Sequence, residues 1–162
     1  MNKLVVALFV SLAITGCQST GTSGTDTGSS NNTVLATNAL LAATQMWSGM
    51  NATNPVADQL AQQTNVTNEQ ALGGLGSMLA LAQNSLSGSQ SQELAGMMPG
   101  YSSLQQSGLS ALIASPEMMN TAFNALGMDP SLVSSFAPIV LQLLQTQGAS
   151  STLVNSLGAL WQ

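Results

Sequence analysis

From Val34 onward, leucine, alanine and methionine recur at three- and four-residue steps between polar positions, the spacing of a helix face. No long alternation of apolar and polar residues argues for strands. The pattern predicts helices near 34–48, 55–64, 68–86, 90–98, 103–113, 116–126, 130–147 and 150–161. In the third, Leu72, Leu75, Leu79, Ala82 and Leu86 form one face, interrupted by Gly73, Gly74 and Gly76. Glycine inside a helix costs about 1 kcal/mol against alanine. Such a cluster therefore points to close approach by another helix. In the seventh, Leu132, Phe136, Ile139 or Val140, and Leu143 make one stripe. Pro138 lies within it, should remove the backbone hydrogen bond to Ser134 and should bend the helix. The eighth offers Leu153, Val154, Leu157, Leu160 and Trp161.

Local signals mark where these helices begin and stop. Asn54-Pro55, Ser115-Pro116 and Asp129-Pro130 each place a cap residue before a first-turn proline. Thr67 with Gln70 has the capping-box form, as do Ser89 with Gln92 and Ser102 with Gln105. Pro99-Gly100, Gly127 and Gly148 read as ends. The expected fold is all-α, a compact domain of about six to eight short helices over residues 34–162.

The chain before Val34 reads differently. Lys3 precedes an apolar run from Leu4 to Leu12, then Ala13-Ile14-Thr15-Gly16-Cys17. A basic start, a short apolar middle and small residues before a cut site make residues 1–16 a signal peptide. Ile14-Thr15-Gly16-Cys17 resembles the bacterial lipobox, in which the cysteine is acylated and becomes the new N-terminus. Cys17 is the single cysteine, so no internal disulfide can form, and acylation gives its thiol a use. Gln18 follows in place of the aspartate that commonly retains such proteins in the inner membrane. An outer-membrane lipoprotein anchored at Cys17 is the expectation, facing the periplasm or the cell surface. Residues 17–33, the lipidated cysteine and a Gly/Ser/Thr-rich run, read as a flexible linker.

Removing residues 1–16 leaves 146 of the 162 residues and takes Lys3, so the net charge goes from −5 to −6. No lysine, arginine or histidine remains. Nucleic-acid binding is excluded for want of cations against phosphate. No Ser-His-Asp or Cys-His arrangement can be built, and no histidine or second cysteine is available to a zinc site. A paired-carboxylate hydrolase stays formally open. However, Asp58, Glu69, Glu93, Glu117 and Asp129 all fall at predicted helix starts, where negative charge favours the dipole. Asp26 is the sixth acid. The expectation is a non-enzymatic protein without catalytic residues, metal or cofactor.

A surface of Ser, Thr, Asn and Gln has little charge to oppose association, so self-association or an envelope partner is a fair hypothesis. Met46, Met50, Met78, Met97, Met98, Met118, Met119 and Met128 are numerous enough to line a groove for a lipid or acyl chain, although core filling is the plainer role. No apolar run of about 18 residues occurs after the leader, which argues for amphipathic helices over membrane spans.

One ordered set of motifs has a family likeness. Glu69-Gln70-Ala71-Leu72-Gly73-Gly74-Leu75-Gly76, Leu86-Ser87 and Met98-Pro99-Gly100 are followed by Ala125-Leu126-Gly127-Met128-Asp129-Pro130. Phe136-Ala137-Pro138-Ile139-Val140-Leu141 and Gln147-Gly148 complete the set. Over roughly residues 56–160 the chain resembles the VcgC/VcgE family, a domain of unknown function. The resemblance implies an exported all-helical domain and carries over no catalytic or ligand residues.

Overall fold

A computed structural model describes residues 28–162, with side chains from Leu35 onward. Its helices are α1 (Gly28–Met50), α2 (Pro55–Thr64), α3 (Asn68–Ser85), α4 (Gly88–Met97), α5 (Ser103–Ser107), α6 (Leu109–Leu112), α7 (Pro116–Ala125), α8 (Val133–Thr146) and α9 (Ser151–Leu160). A 3₁₀ turn, Pro130–Leu132, leads into α8. The described residues contain no strand, and the expected all-α class holds.

Helix α3 is the axis of the domain. Ala71 to Ala82 are all buried, so this helix is covered on every side rather than on the single face its leucines suggest. A helix covered all round must let several neighbours close in. Helices α1, α2, α6 and α7 pack along it most extensively, and α5, α8 and α9 also touch it. The three glycines make that approach possible. A Cβ at Gly74 would lie 2.6 Å from the Phe136 ring and 3.1 Å from Phe123. One at Gly76 would lie 2.7 Å from the Trp47 ring, and one at Gly73 would meet Leu126 and Thr44. Phe123 and Phe136 stack edge to face over Gly74, with centroids 5.6 Å apart.

Helix starts set by neighbouring residues form as expected. The Asn54 side chain accepts from Val56 N–H at 3.0 Å, and Thr67 and Gln70 exchange both bonds of a capping box. Ser115 accepts from Met118 N–H, and Asp129 from Ser131 N–H at 2.8 Å, although the latter opens the 3₁₀ turn. Gly100, Gly127 and Gly148 all adopt positive φ.

Four expectations require correction. Helix α1 spans Gly28–Met50, longer at both ends than the predicted 34–48. Helix α4 begins two residues early, and its box is Ser87 with Gln90, not Ser89 with Gln92. The Gln90 carbonyl accepts from Ser87 N–H at 3.2 Å, and its amide donates to Ser156 on α9 at 2.7 Å. Ser102 makes no cap bond, because its backbone is already helical. Finally, the fifth helix breaks into α5 and α6 at Gly108, whose φ of 74° no continuing helix adopts.

Pro138 sits on the exposed side of α8, where its ring meets solvent. Among the described residues no single helix is long and apolar enough to cross a membrane. Helix α7 and the 130–146 segment reach that composition only together, across a 115° bend.

Candidate functional site

Two polar arrangements and one cleft account for most of the side chains with chemical character. The first arrangement clamps the Met98-Pro99-Gly100 motif. Trp47 Nε1 donates to the Gly100 carbonyl at 3.0 Å, and Asn54 Nδ2 donates to the Pro99 carbonyl at 3.2 Å. The Asn51 amide bridges the Trp47 carbonyl and Ser103 Oγ, at 2.9 and 3.0 Å. A Cβ on Gly100 would overlap that amide, so the motif glycine serves both a turn and a tight contact. This arrangement fastens the α1–α2 junction to the loop after α4.

The second is centred on Glu93. It lies in the middle of α4 rather than in the first turn, where the sequence placed it. Its carboxylate accepts from Ser150 N–H at 2.6 Å and from Ser150 Oγ at 2.9 Å. Glu93 thus supplies negative charge to the start of α9, not to its own helix. The other described acids stand near helix starts. Asp58, Glu69 and Glu117 are in first turns, and Asp129 caps the 3₁₀ turn. The Ser115 hydroxyl, then its own backbone N–H, holds the Glu117 carboxyl below its usual range. The Ser131 hydroxyl and N–H do the same for Asp129. Tyr101 is 4% exposed, and burial pushes its phenol above the ordinary value, an effect partly offset by the Ser91 hydroxyl.

These directions fix a pH profile. Glu117 and Asp129 have lowered folded-state values, so their contribution is present above the unfolded carboxylate range. It is lost as pH falls through the folded values, below about pH 4. Tyr101 has a raised folded-state value, so its contribution is lost as pH rises past the unfolded value of about 10. The described residues contain no histidine. Urea midpoints should therefore be level between about pH 5 and 9 and fall on both sides. A midpoint that moves steadily across the neutral range would contradict this assignment.

The cleft lies where α1, the start of α3 and the end of α7 meet. It encloses about 680 Å³ and is lined by Thr44, Gln45, Ser48, Gly49, Ala52, Asn68, Glu69, Gln70, Leu72 and Leu126. Most of its polar groups already have partners. Thr44 Oγ1 donates to the Leu40 carbonyl, Gln70 Nε2 donates to the Leu126 carbonyl, and Asn68 donates to Asp58. Gln45, Ser48 and the exposed Glu69 carboxylate remain to meet a ligand. The Ser48 hydroxyl, the Gln45 amide and the Glu69 carboxylate share one cleft, an arrangement that can hold a small polar molecule. Among the described residues no three metal-ligating side chains come together.

The eight methionines do not share one groove. Met78, Met98, Met119 and Met128 are core residues, and Met97 and Met118 are half-buried. Met46 and Met50 point outward from α1, 53% and 43% exposed. A smaller hollow of about 280 Å³ beside Pro55, Val56 and Leu143 includes Met97. Cys17, the lipidation site expected from the sequence, and Asp26 lie outside the described residues.

The outward face of α1 escaped the sequence reading. Leu35, at 66% exposure, joins Met46 and Met50 as the large apolar side chains exposed among the described residues. The signal was present: apolar residues recur at 35, 39, 42, 46 and 50 as well as at 40, 43 and 47. A helix with apolar residues on two faces asks for two partners.

Fold and site together define an all-helical domain whose motif residues serve packing and turns. The chain belongs to the VcgC/VcgE family of proteins of unknown function (DUF2780), whose model matches residues 8–158. That match takes in α1 and extends beyond the roughly 56–160 over which the motifs are legible. No curated protein and no solved structure matches the chain.

Proposed function

We propose that this protein is a non-enzymatic lipoprotein of the cell envelope, held at the outer membrane through Cys17, that acts by contact with protein. The observation that carries the interaction role is the apolar outward face of α1, the helix next after the anchor in the chain. A mature chain without lysine, arginine or histidine supports the non-enzymatic part. Acyl chains on one cysteine anchor firmly when there is more than one of them, at roughly 0.8 kcal/mol per buried CH₂.

Changing Cys17→Ser tests the anchor. The protein should leave the membrane fraction almost completely, and the cysteine-containing peptide should lose its acyl mass. Unaltered partitioning would sink this part of the reading. Reproducible turnover of a substrate, abolished by Glu69→Gln, would sink the non-enzymatic part.

A second reading is favoured by the cleft beside Glu69, whose floor of Leu72 and Leu126 suits the apolar part of a small amphipathic ligand. Native mass spectra of protein prepared without its anchor should then show a bound small molecule, displaced by Leu126→Trp. Spectra of the bare chain alone would remove this reading.

A further inference from the structure

Helix α1 carries no charged residue along its whole length. At 100° per residue, Leu35, Ala39, Ala42, Met46 and Met50 fall within an arc of about 80°. All five are exposed. The middle of the face packed on the core, with Leu40 and Trp47 at its centre, is about 110° from the middle of this arc, and buried Ala43 adjoins the arc beside Met50. The exposed arc therefore points away from the core while bordering the buried face.

We propose that this stripe pairs with the same stripe of a second copy, as an antiparallel helix seam with two-fold symmetry. The proposal deepens the interaction role suggested above by naming the partner, and it rests on that reading. Its first support is register. With the axis between residues 42 and 43, Ala39 faces Met46, Leu35 faces Met50, and the two copies of Ala42 lie side by side at the axis. Small residues at the centre let the helix axes approach, and each Met46 lies over an alanine. The steps of four, three, four and four residues are those of a helix–helix seam. An isologous contact needs a surface complementary to itself, which this register provides.

Charge gives the second support. The mature chain carries six acids and no base, so its charge opposes contact between copies only around those acids. Helix α1 carries none of them, so its stripe can meet a copy without that penalty, and it offers nothing to steer a partner by charge.

The third support is the chain that precedes the helix. Ten residues, 18–27, separate Cys17 from Gly28 and reach at most about 35 Å. Helix α1, with 23 residues, is about 34 Å long. Two antiparallel copies lying flat on a bilayer hold both N-termini at one height, so both anchors reach the same leaflet. The stripe is only about 22 Å long. A seam of that size falls below the roughly 1,200 Å² of a standard stable interface. Pairing is thus weak in solution and strengthened by confinement on a membrane, where local concentration is high.

Introduced cysteines test this cleanly, because Cys17 is the single native cysteine and acylation occupies it. Ala42→Cys in the full chain, oxidised mildly in intact envelopes, should give a disulfide dimer at least about tenfold above Gln62→Cys on α2. Co-expressed Leu35→Cys and Met50→Cys chains should crosslink to each other, and Leu35→Cys alone should not. Ala42 is exposed, so the substitution does not threaten folding. Three results would overturn the pairing: no dimer at Ala42, equal dimer at Gln62, or an Ala42 adduct with a different protein. Adding Cys17→Ser to Ala42→Cys separates the two proposals. A dimer that persists while fractionation is unchanged by Cys17→Ser upholds the pairing and removes the anchor.

Discussion

Replacing Trp47 with alanine is expected to lower the unfolding free energy by about 3–5 kcal/mol, the range for deleting a buried aromatic side chain. Trp47 is fully buried, and its ring lies against Gly76 at the centre of α3. The glycine has no side chain to relax into the space, so the cavity cannot readily collapse. The substitution also strips the Gly100 carbonyl of the indole N–H at 3.0 Å. That carbonyl keeps the Ser103 hydroxyl at 2.7 Å and the Ser103 N–H at 3.1 Å, so the cavity accounts for most of the loss. Domains of this size are stable by about 5–15 kcal/mol, so one change removes a large share. Urea unfolding followed by far-ultraviolet circular dichroism measures it. A loss under 1 kcal/mol would mean that α1 is not fastened to α3 through this ring.

The second large effect is expected at Gly74. Valine there must place a branched Cβ 2.6 Å from the Phe136 ring and 3.2 Å from the Met128 methyl. Overpacking of this kind typically costs 1–3 kcal/mol. Both aromatic rings are fully buried and set edge to face, so neither can move aside cheaply. About 1–3 kcal/mol of destabilisation should follow, against the usual gain on removing a helical glycine. Gly96 in α4 supplies the opposite sign. A Cβ there meets nothing within 4 Å, so Gly96→Ala should stabilise by about 0.5–1 kcal/mol. Paired denaturation curves decide the matter. Equal signs at the two positions would show that helix propensity, not close packing, governs the glycines of α3.

The two expected effects explain what the family motifs do in this chain. The Gly73-Gly74-Leu75-Gly76 stretch admits rings from α1, α7 and α8. Met98-Pro99-Gly100 receives Trp47 and Asn54. Asp129-Pro130 starts the turn into α8. Each motif thus has a structural task in the protein.

The sequence alone determined the helical class, most helix starts and the poverty of chemically active side chains. Caps such as Thr67 with Gln70 are legible because both partners lie within one turn, so the hydrogen bond is settled by residues three apart. The break at Gly108 had a local signal too, Ser107-Gly108, but glycine is tolerated inside helices and its φ is decided by packing on both sides. Tertiary structure decided the rest. Glu93 caps a helix 57 residues away, a pairing that no local pattern encodes. The partners of the α3 glycines come from four other helices and the loop after α7, so spacing announces a close approach without naming what approaches. Which apolar face of α1 meets the core and which meets solvent was likewise open. Periodicity gives the angle between two faces, whereas burial depends on where the remaining helices pack.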